Sequence, residues 1–290
     1  MVEGSLISGK TKICGIIGDP IEHTMSPVMH NAAFKELGID GWYLPFRVRA
    51  ADLAEAIGGL RALNIRGLNV TIPHKTAVIP FLDKLDSSVE RIDAVNTIVN
   101  DGGVLTGYNT DVAGFLQALL EKGIEPAGKN VVILGAGGAA KGISFILAER
   151  GAHPVILNRH LDRAEELARR IIRALKQEIK ARSLSEVNLA AALAKADILV
   201  NTTSVGMVPG VEDTPVPAKL LRSGLVVFDI VYNPIKTRLL REAEAAGART
   251  IDGLYMLVWQ GALAFEKWTG LKPPVNLMRK EAIKALGYED

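Results

Sequence analysis

The run Val131-Val132-Ile133-Leu134-Gly135-Ala136-Gly137-Gly138-Ala139-Ala140 constrains the fold more than any other stretch of this chain. Its apolar, mostly β-branched residues break into glycines and then into alanines, so it reads as a buried parallel strand that turns straight into a helix. Gly135 and Gly137, with the small Ala140 after them, fit the dinucleotide fingerprint G-x-G-x-x-G/A. The first position permits a tight turn, the second lets backbone N–H groups approach a pyrophosphate, and the third lets the helix pack close. Gly135, Ala136, Gly137, Gly138 and Ala139 are therefore candidate cofactor ligands, although glycine-rich turns of this kind also arise for packing reasons alone. The next strand supplies a second signal. His153 to Leu157 is apolar and ends at Asn158-Arg159, about where such a fold presents the residue that reads the adenosine ribose. An acidic residue there would accept from the 2′-hydroxyl of NAD, whereas Arg159, with Arg163 one helical turn on, offers charge to a 2′-phosphate. NADP is the expected cofactor; the plainer alternative is a solvated arginine at a helix start.

A length of 290 residues suggests about two domains. Hydrophobic residues make up 48% and charged residues 23%, enough to bury sizeable cores and unlike disordered or membrane chains. A formal net charge of +2 argues against a nucleic-acid surface. The dense basic segment Arg159 to Arg182 interleaves Asp162, Glu165, Glu166 and Glu178 and reads as a solvated helix face. Cys14 is the only cysteine, so no intrachain disulfide can form and a cytoplasmic location is expected. Met1 to Lys12 lacks an apolar signal-peptide core, no run reaches the length of a membrane span, and the five histidines show no metal-ligand spacing. Neither a membrane nor a metal is expected.

Taken in order, the chain alternates strands and helices. An apolar strand at 13–17 precedes a helix from Ser26-Pro27 to about Leu37, with Ser26 a natural N-cap and Pro27 a natural first helical residue. A strand at 42–48, an amphipathic helix at 51–63, a strand at 67–72 ending at Pro73 and a helix through Phe81 follow. The pieces 94–99 and 104–105 flank Gly102-Gly103 and read as a hairpin. After a helix starting at Thr110-Asp111, a second series opens: strand 131–134, helix 138–150, strand 153–157, helix 161–176, strands 198–201 and 225–230, and helix 237–246. A helix with Leu254, Leu257, Val258, Gly261, Phe265 and Trp268 on one stripe then runs to Gly270, and Pro273-Pro274 separates it from a last helix. This is an α/β pattern with mainly parallel sheets, and its second half predicts a doubly wound, Rossmann-type domain.

Several polar residues stand out within that pattern. Thr24 and Ser26 could simply cap a helix, yet two hydroxyls beside free helix N–H groups also suit a carboxylate. Lys75 lies in what should be a first helical turn, where its charge opposes the helix dipole by roughly 0.3 to 1 kcal/mol, so helix energetics do not explain it. Asp111 has a plain reading as a first-turn acid; paired with Lys75 it would orient the ammonium. Asn96 could be a strand-end amide. Gln260, one turn after Met256 on an otherwise apolar helix, must find polar partners.

His23-Thr24-Met25-Ser26-Pro27, Asn69 to Lys75, Ala94-Val95-Asn96-Thr97 and Gly107 to Asp111 resemble, in the same order, the signatures of the shikimate dehydrogenase family. So do the glycine loop with Asn158-Arg159, Asn201 to Met207, Asp229 to Pro234 and Asp252 to Gln260. The resemblance covers nearly the whole chain. It implies NADPH-dependent, reversible reduction of 3-dehydroshikimate to shikimate in aromatic amino-acid biosynthesis, on a monomer or homodimer. It further implies a substrate domain at 1–110, completed by helices at 254–290, and an NADP domain at 111–253. By resemblance Lys75 and Asp111 are catalytic; Thr24, Ser26 and Tyr232 hold the substrate carboxylate, and Thr71, Asn96 and Gln260 its ring oxygens. Asn158, Ser204 and Met207 then serve the adenine-ribose side of the cofactor, with Gly253 and Met256 near the nicotinamide. The chain has Thr24 where the family more often has Ser, Asp93 where it usually has Gly, and His160 where it usually has Thr. Alternative readings are a quinate/shikimate dehydrogenase with mixed cofactor use, and a non-catalytic NADP-binding regulator.

Overall fold

The computed structural model of the protein describes residues 7–288. The chain divides into two compact units, Met1–Ala113 with Val258–Asp290, and Gly114–Leu257. No helix among the described residues is long and apolar enough to cross a membrane.

The first unit contains β1 (Lys12–Gly18), α1 (Ser26–Glu36), β2 (Gly41–Arg47), α2 (Leu53–Ala62), β3 (Gly67–Val70), α3 (His74–Ala77), β4 (Lys84–Leu85), α4 (Ser87–Ile92), β5 (Thr97–Asp101), β6 (Val104–Tyr108) and the start of α5 (Thr110–Glu121). Its sheet has the order β2-β1-β3-β5-β6-β4. β1 pairs in parallel with β2 and β3, and β4 with β6. The β5–β6 hairpin supplies antiparallel pairing, both within itself and with β3. Ile17, Leu68, Val70, Ile98 and Leu105 of the sheet pack with Leu53, Ile57 and Leu60 of α2. The aromatic stripe read near the end of the sequence is buried too: Phe265 packs on Phe34 of α1 with ring centroids 5.0 Å apart, and the Trp268 indole donates to Ile98 O at 2.9 Å.

The second unit contains β7 (Asn130–Leu134), α6 (Gly138–Glu149), β8 (His153–Asn158), α7 (Leu161–Leu175), β9 (Lys180–Ser183), α8 (Glu186–Leu193), β10 (Ile198–Asn201), β11 (Val226–Asp229), α9 (Arg238–Ala245) and β12 (Arg249–Ile251). All six strands are parallel, in the order β12-β11-β10-β7-β8-β9. The chain winds outward from β7 in one direction and then, from β10, in the other; this is the doubly wound order, with its switch point at the β7–β10 pair. Helices α10 (Gly253–Thr269) and α11 (Val275–Ala285) complete the chain.

Several local expectations are corrected. Ser26 is not the N-cap of α1: Met25 holds that position without a side-chain cap bond, and the Ser26 N–H donates to Thr24 Oγ1 at 3.3 Å. The basic segment is not one helix face, because α7 stops at Leu175 with Lys176 in the left-handed conformation. Residues 180–183 then form edge strand β9, whose Lys180 and Arg182 blunt the open edge.

Asp93 has a backbone φ of 59°, in the left-handed region, directly after α4. That accounts for glycine being usual at this position, since a Cβ is strained there and Asp is among the few side chains that tolerate it. Its carboxylate also stands at a helix C-terminus, the wrong end for a negative charge. In the second unit, Asp229 is fully buried and accepts from Asn201 Nδ2 at 2.9 Å, Val231 N at 3.1 Å and Thr237 Oγ1 at 2.7 Å. Burial outweighs these bonds and pushes its carboxyl up to about 6.

Asp93→Gly is expected to raise the denaturation midpoint by the equivalent of about 0.5–1 kcal/mol, relief of strain outweighing the extra freedom of the unfolded chain; an unchanged or lowered midpoint in urea contradicts this account. The native state keeps the Asp229 proton to higher pH than the unfolded chain does, so the group favours folding at low pH. That contribution is lost as pH rises from the ordinary carboxyl value of 3.8 through about 6. A stability–pH profile measured across that window should therefore flatten in Asp229→Asn, and an unaltered slope would place the titration elsewhere.

Candidate active site

Helix α3 follows β3 after a short turn and is a single turn long, so its dipole has little force on Lys75. What the lysine meets is a countercharge: Lys75 Nζ donates to Asp111 Oδ2 at 2.6 Å, with the two side chains 32% and 25% exposed. The lysine main chain is fixed as well, its carbonyl accepting from Val95 N at 2.8 Å. Asp111 stands in the first turn of α5, which Asn109 caps by accepting from Val112 N at 3.3 Å.

The other carboxylate oxygen, Asp111 Oδ1, accepts from Asn96 Nδ2 at 2.8 Å. The same Nδ2 lies 3.0 Å from Thr110 Oγ1 and 3.4 Å from Gln260 Oε1, while Asn96 Oδ1 accepts from Thr110 N at 2.7 Å. Lys75, Asp111, Asn96 and Gln260, drawn from four separate sequence motifs, thus form one cluster. It is half open to solvent at the ion pair and closed behind it. Thr71 sits at the end of β3 with its N–H on Ile17 O at 3.0 Å. Ser26 is buried in the first turn of α1, and the Thr24 hydroxyl precedes it by one bond to the Ser26 N–H. Asn69 and Thr97, which carry no signal beyond their place in the motifs, join the cluster from β3 and β5: Asn69 Nδ2 donates to Thr97 Oγ1 at 3.0 Å. Their partners lie far along the chain, so periodicity cannot reveal them.

Tyr232 belongs to the second unit, half-buried, and burial raises its phenol above the ordinary range. The backbone just before it is held by Gly253. A Cβ there would come within 2.6 Å of the Val231 carbonyl carbon, and the Gly253 N–H donates to Val231 O at 3.2 Å. Met256 lies half-buried one turn along the same helix.

The glycine loop after β7 is shaped as a backbone cradle. Gly135 has φ +110°, and a Cβ on it would lie 2.7 Å from Thr202 Oγ1, so both conformation and space demand glycine. A Cβ on Gly137 or Gly138 would meet nothing within 4 Å. Gly137 is the N-cap of α6 and offers no side-chain cap, which leaves the first N–H groups of a 12-residue helix, including Ala139, without a side-chain acceptor. Open space before uncapped N–H groups at the positive end of a helix fits a pyrophosphate. At the end of β8, Asn158 Nδ2 donates to His160 O at 2.9 Å. Arg159 and Arg163 are exposed and carry no ion pair among the described residues. Ser204 and Met207 face solvent across a turn closed by the Met207 N–H on Ser204 O at 3.2 Å. Asn201 braces that loop by accepting from Thr203 N at 3.1 Å. Among the described residues no three His, Cys, Asp or Glu side chains gather in a way that could hold a metal ion.

Comparison with known proteins agrees with both halves of this description. The family model "Shikimate dehydrogenase substrate binding domain" matches residues 16–98, "Shikimate / quinate 5-dehydrogenase" residues 118–255 and "Shikimate 5'-dehydrogenase C-terminal domain" residues 253–283. A shikimate dehydrogenase (NADP(+)) of Geobacillus kaustophilus is 50% identical over 277 residues, covering 95% of this chain and 99% of the relative. A crystal structure of a shikimate dehydrogenase in complex with NADP+ superposes with a TM-score of 0.90 at 42% identity, covering 97% of this chain and 98% of that one. The enzyme of Thermus thermophilus, solved with NADP(H) and shikimate, does so with a TM-score of 0.85 at 37% identity, covering 95% of this chain and all of that one. With identity of this level along almost its whole length, the chain belongs to the shikimate dehydrogenase family.

Proposed function

We propose that the protein catalyses the reversible, NADPH-dependent reduction of 3-dehydroshikimate to shikimate. The observation that carries this reading is the 2.6 Å pair of Lys75 and Asp111 set against the Asn96 and Gln260 amides. A proton donor, its orienting carboxylate and a row of groups suited to ring hydroxyls stand together. Such a pair has no task in a regulator that only binds NADP.

In this reading all of the proposed substrate ligands but Tyr232 belong to the first unit, and the cofactor ligands to the second. Thr24, Ser26 and Tyr232 bind the carboxylate, while Thr71, Asn96 and Gln260 bind ring oxygens. The loop Gly135 to Ala139 would hold the pyrophosphate, and Asn158, Arg159, Arg163, Ser204 and Met207 the adenosine 2′-phosphate side, with Gly253 and Met256 serving the nicotinamide. When bound, NADPH supplies the hydride that adds to the carbonyl carbon at C3. Lys75 Nζ gives a proton to the carbonyl oxygen as that oxygen becomes an alkoxide, and recovers one from water. Asp111 keeps the ammonium aimed, and Asn96 holds Asp111 in turn. We place the enzyme in the cytoplasm, on the route to the aromatic amino acids, as a monomer or homodimer.

A spectrophotometric assay pairing shikimate or quinate with NADP or NAD tests the assignment, and fastest turnover of quinate with NAD would overturn it. Arg159→Ala should weaken NADP far more than NAD, by about 1.5 to 3 kcal/mol for a charge-assisted contact to the 2′-phosphate. Equal losses for the two cofactors would show that Arg159 does not read the phosphate.

Lys75→Met should cut kcat steeply while leaving NADP affinity near normal, and Asp111→Asn should also cut kcat. Their double variant should lose much less than the sum of the single losses in activation free energy, because the two act as one proton-transfer unit. Additive losses, or a Lys75→Met enzyme with only a raised KM, would assign the proton to another group.

A further inference from the structure

Behind the Lys75–Asp111 pair runs a chain of hydrogen bonds between buried side chains whose donors all point the same way. Asn69 Nδ2 is committed as a donor to Asn96 O at 3.1 Å and Thr97 Oγ1 at 3.0 Å, so its Oδ1 can only accept. It accepts from Tyr43 Oη at 2.7 Å. Tyr43 has one proton and gives it there. From Asn69 the chain continues: Thr97 Oγ1 donates to Asn96 Oδ1 at 3.1 Å, and Asn96 Nδ2 to Asp111 Oδ1 at 2.8 Å. Tyr43, Asn69, Asn96 and Thr97 are all buried.

The Tyr43 ring is clamped. His30 stacks on it with centroids 4.3 Å apart and planes 16° from parallel, and Trp268 lies against it at 5.9 Å. Neither His30 ring nitrogen has a hydrogen-bond partner among the described residues and burial lowers its pKa to about 3, so the imidazole serves as a flat, uncharged slab rather than as a polar link. The hydroxyl of Tyr43 is thereby held on Asn69 of β3.

We propose that Tyr43 is a positioning residue for the reaction: through Asn69, Thr97 and Asn96 it holds the Asp111 carboxylate, and with it the Lys75 ammonium, in place. This rests on the reading of Lys75 and Asp111 as the proton-transfer pair. A proton donor acts only when it is aimed at the reacting oxygen, and head-to-tail hydrogen bonds that polarise one another make that aim stiff. Tyr43 itself touches no substrate atom in this scheme.

Tyr43→Phe keeps the stack and removes the hydroxyl. It should lower kcat for shikimate about tenfold, as for the loss of one buried hydrogen bond, with KM for NADP unchanged. In an Asp111→Asn background the same change should lower kcat much less. Thr97→Val, which is close to isosteric and cuts the chain beyond Asn69, should reproduce the kcat loss, and it carries the test if Tyr43→Phe does not fold. A Tyr43→Phe enzyme with a lowered Tm but kcat within twofold of the wild type would overturn the proposal, as would full additivity with Asp111→Asn. Wild-type protein that does not turn over shikimate would sink the reading of the site together with it.

Discussion

The amide of Asn96 bonds through every polar group it has. Its N–H donates to Tyr108 O at 3.0 Å and its carbonyl accepts from Val70 N at 2.9 Å, so its main chain spans the sheet between β3 and the end of β6. Its side chain reaches the first turn of α5 through Thr110 and Asp111, and α10 through Gln260. A buried amide of this kind is costly unless every donor and acceptor is used, and once used it fixes the elements that use it. The position of Asp111, and through it that of Lys75, follows from this one satisfied group.

The second unit reaches a comparable result with backbone rather than side chains. Its strand order brings β7 and β10 side by side, so the loops after both strands emerge at the same sheet edge. Gly135 is pressed against Thr202 from the β10 loop, and Asn201 and Asp229 bind each other at the ends of β10 and β11. The glycine cradle is thus held by neighbours that need not touch a ligand.

Much of this architecture was legible before any coordinates. The Val131 strand, its glycine turn and the alternation after it define β7, α6, β8 and α7 to within a residue or two, because apolar runs and glycine breaks act locally. The elements that escaped notice lack such a signature. β4 has two residues, β9 alternates charged with small residues at an edge, and α8 draws on Ala as much as on Leu. In the site, Lys75 was visible as a charge that helix energetics did not explain, Asp111 as a first-turn acid that could pair with it, and Gln260 as an amide on an apolar face. Tyr43 and Thr97 were not, because an aromatic and a β-branched residue in a strand need no explanation until the atoms they bond are known. Asp93 was visible as an oddity, and the sign of one backbone angle accounts for it.

Cys14 lies in the middle of β1, 1% exposed, with burial pushing its thiol up to about 12. Only a thiolate reacts readily with an alkylating reagent, so in the native protein this sulfur is silent. It is also the chain's only cysteine, and the second unit has none. The protein therefore carries its own reporter of one unit: the rate at which a thiol reagent labels it records how often the β1 sheet opens, with no contribution from the parallel sheet of the other half.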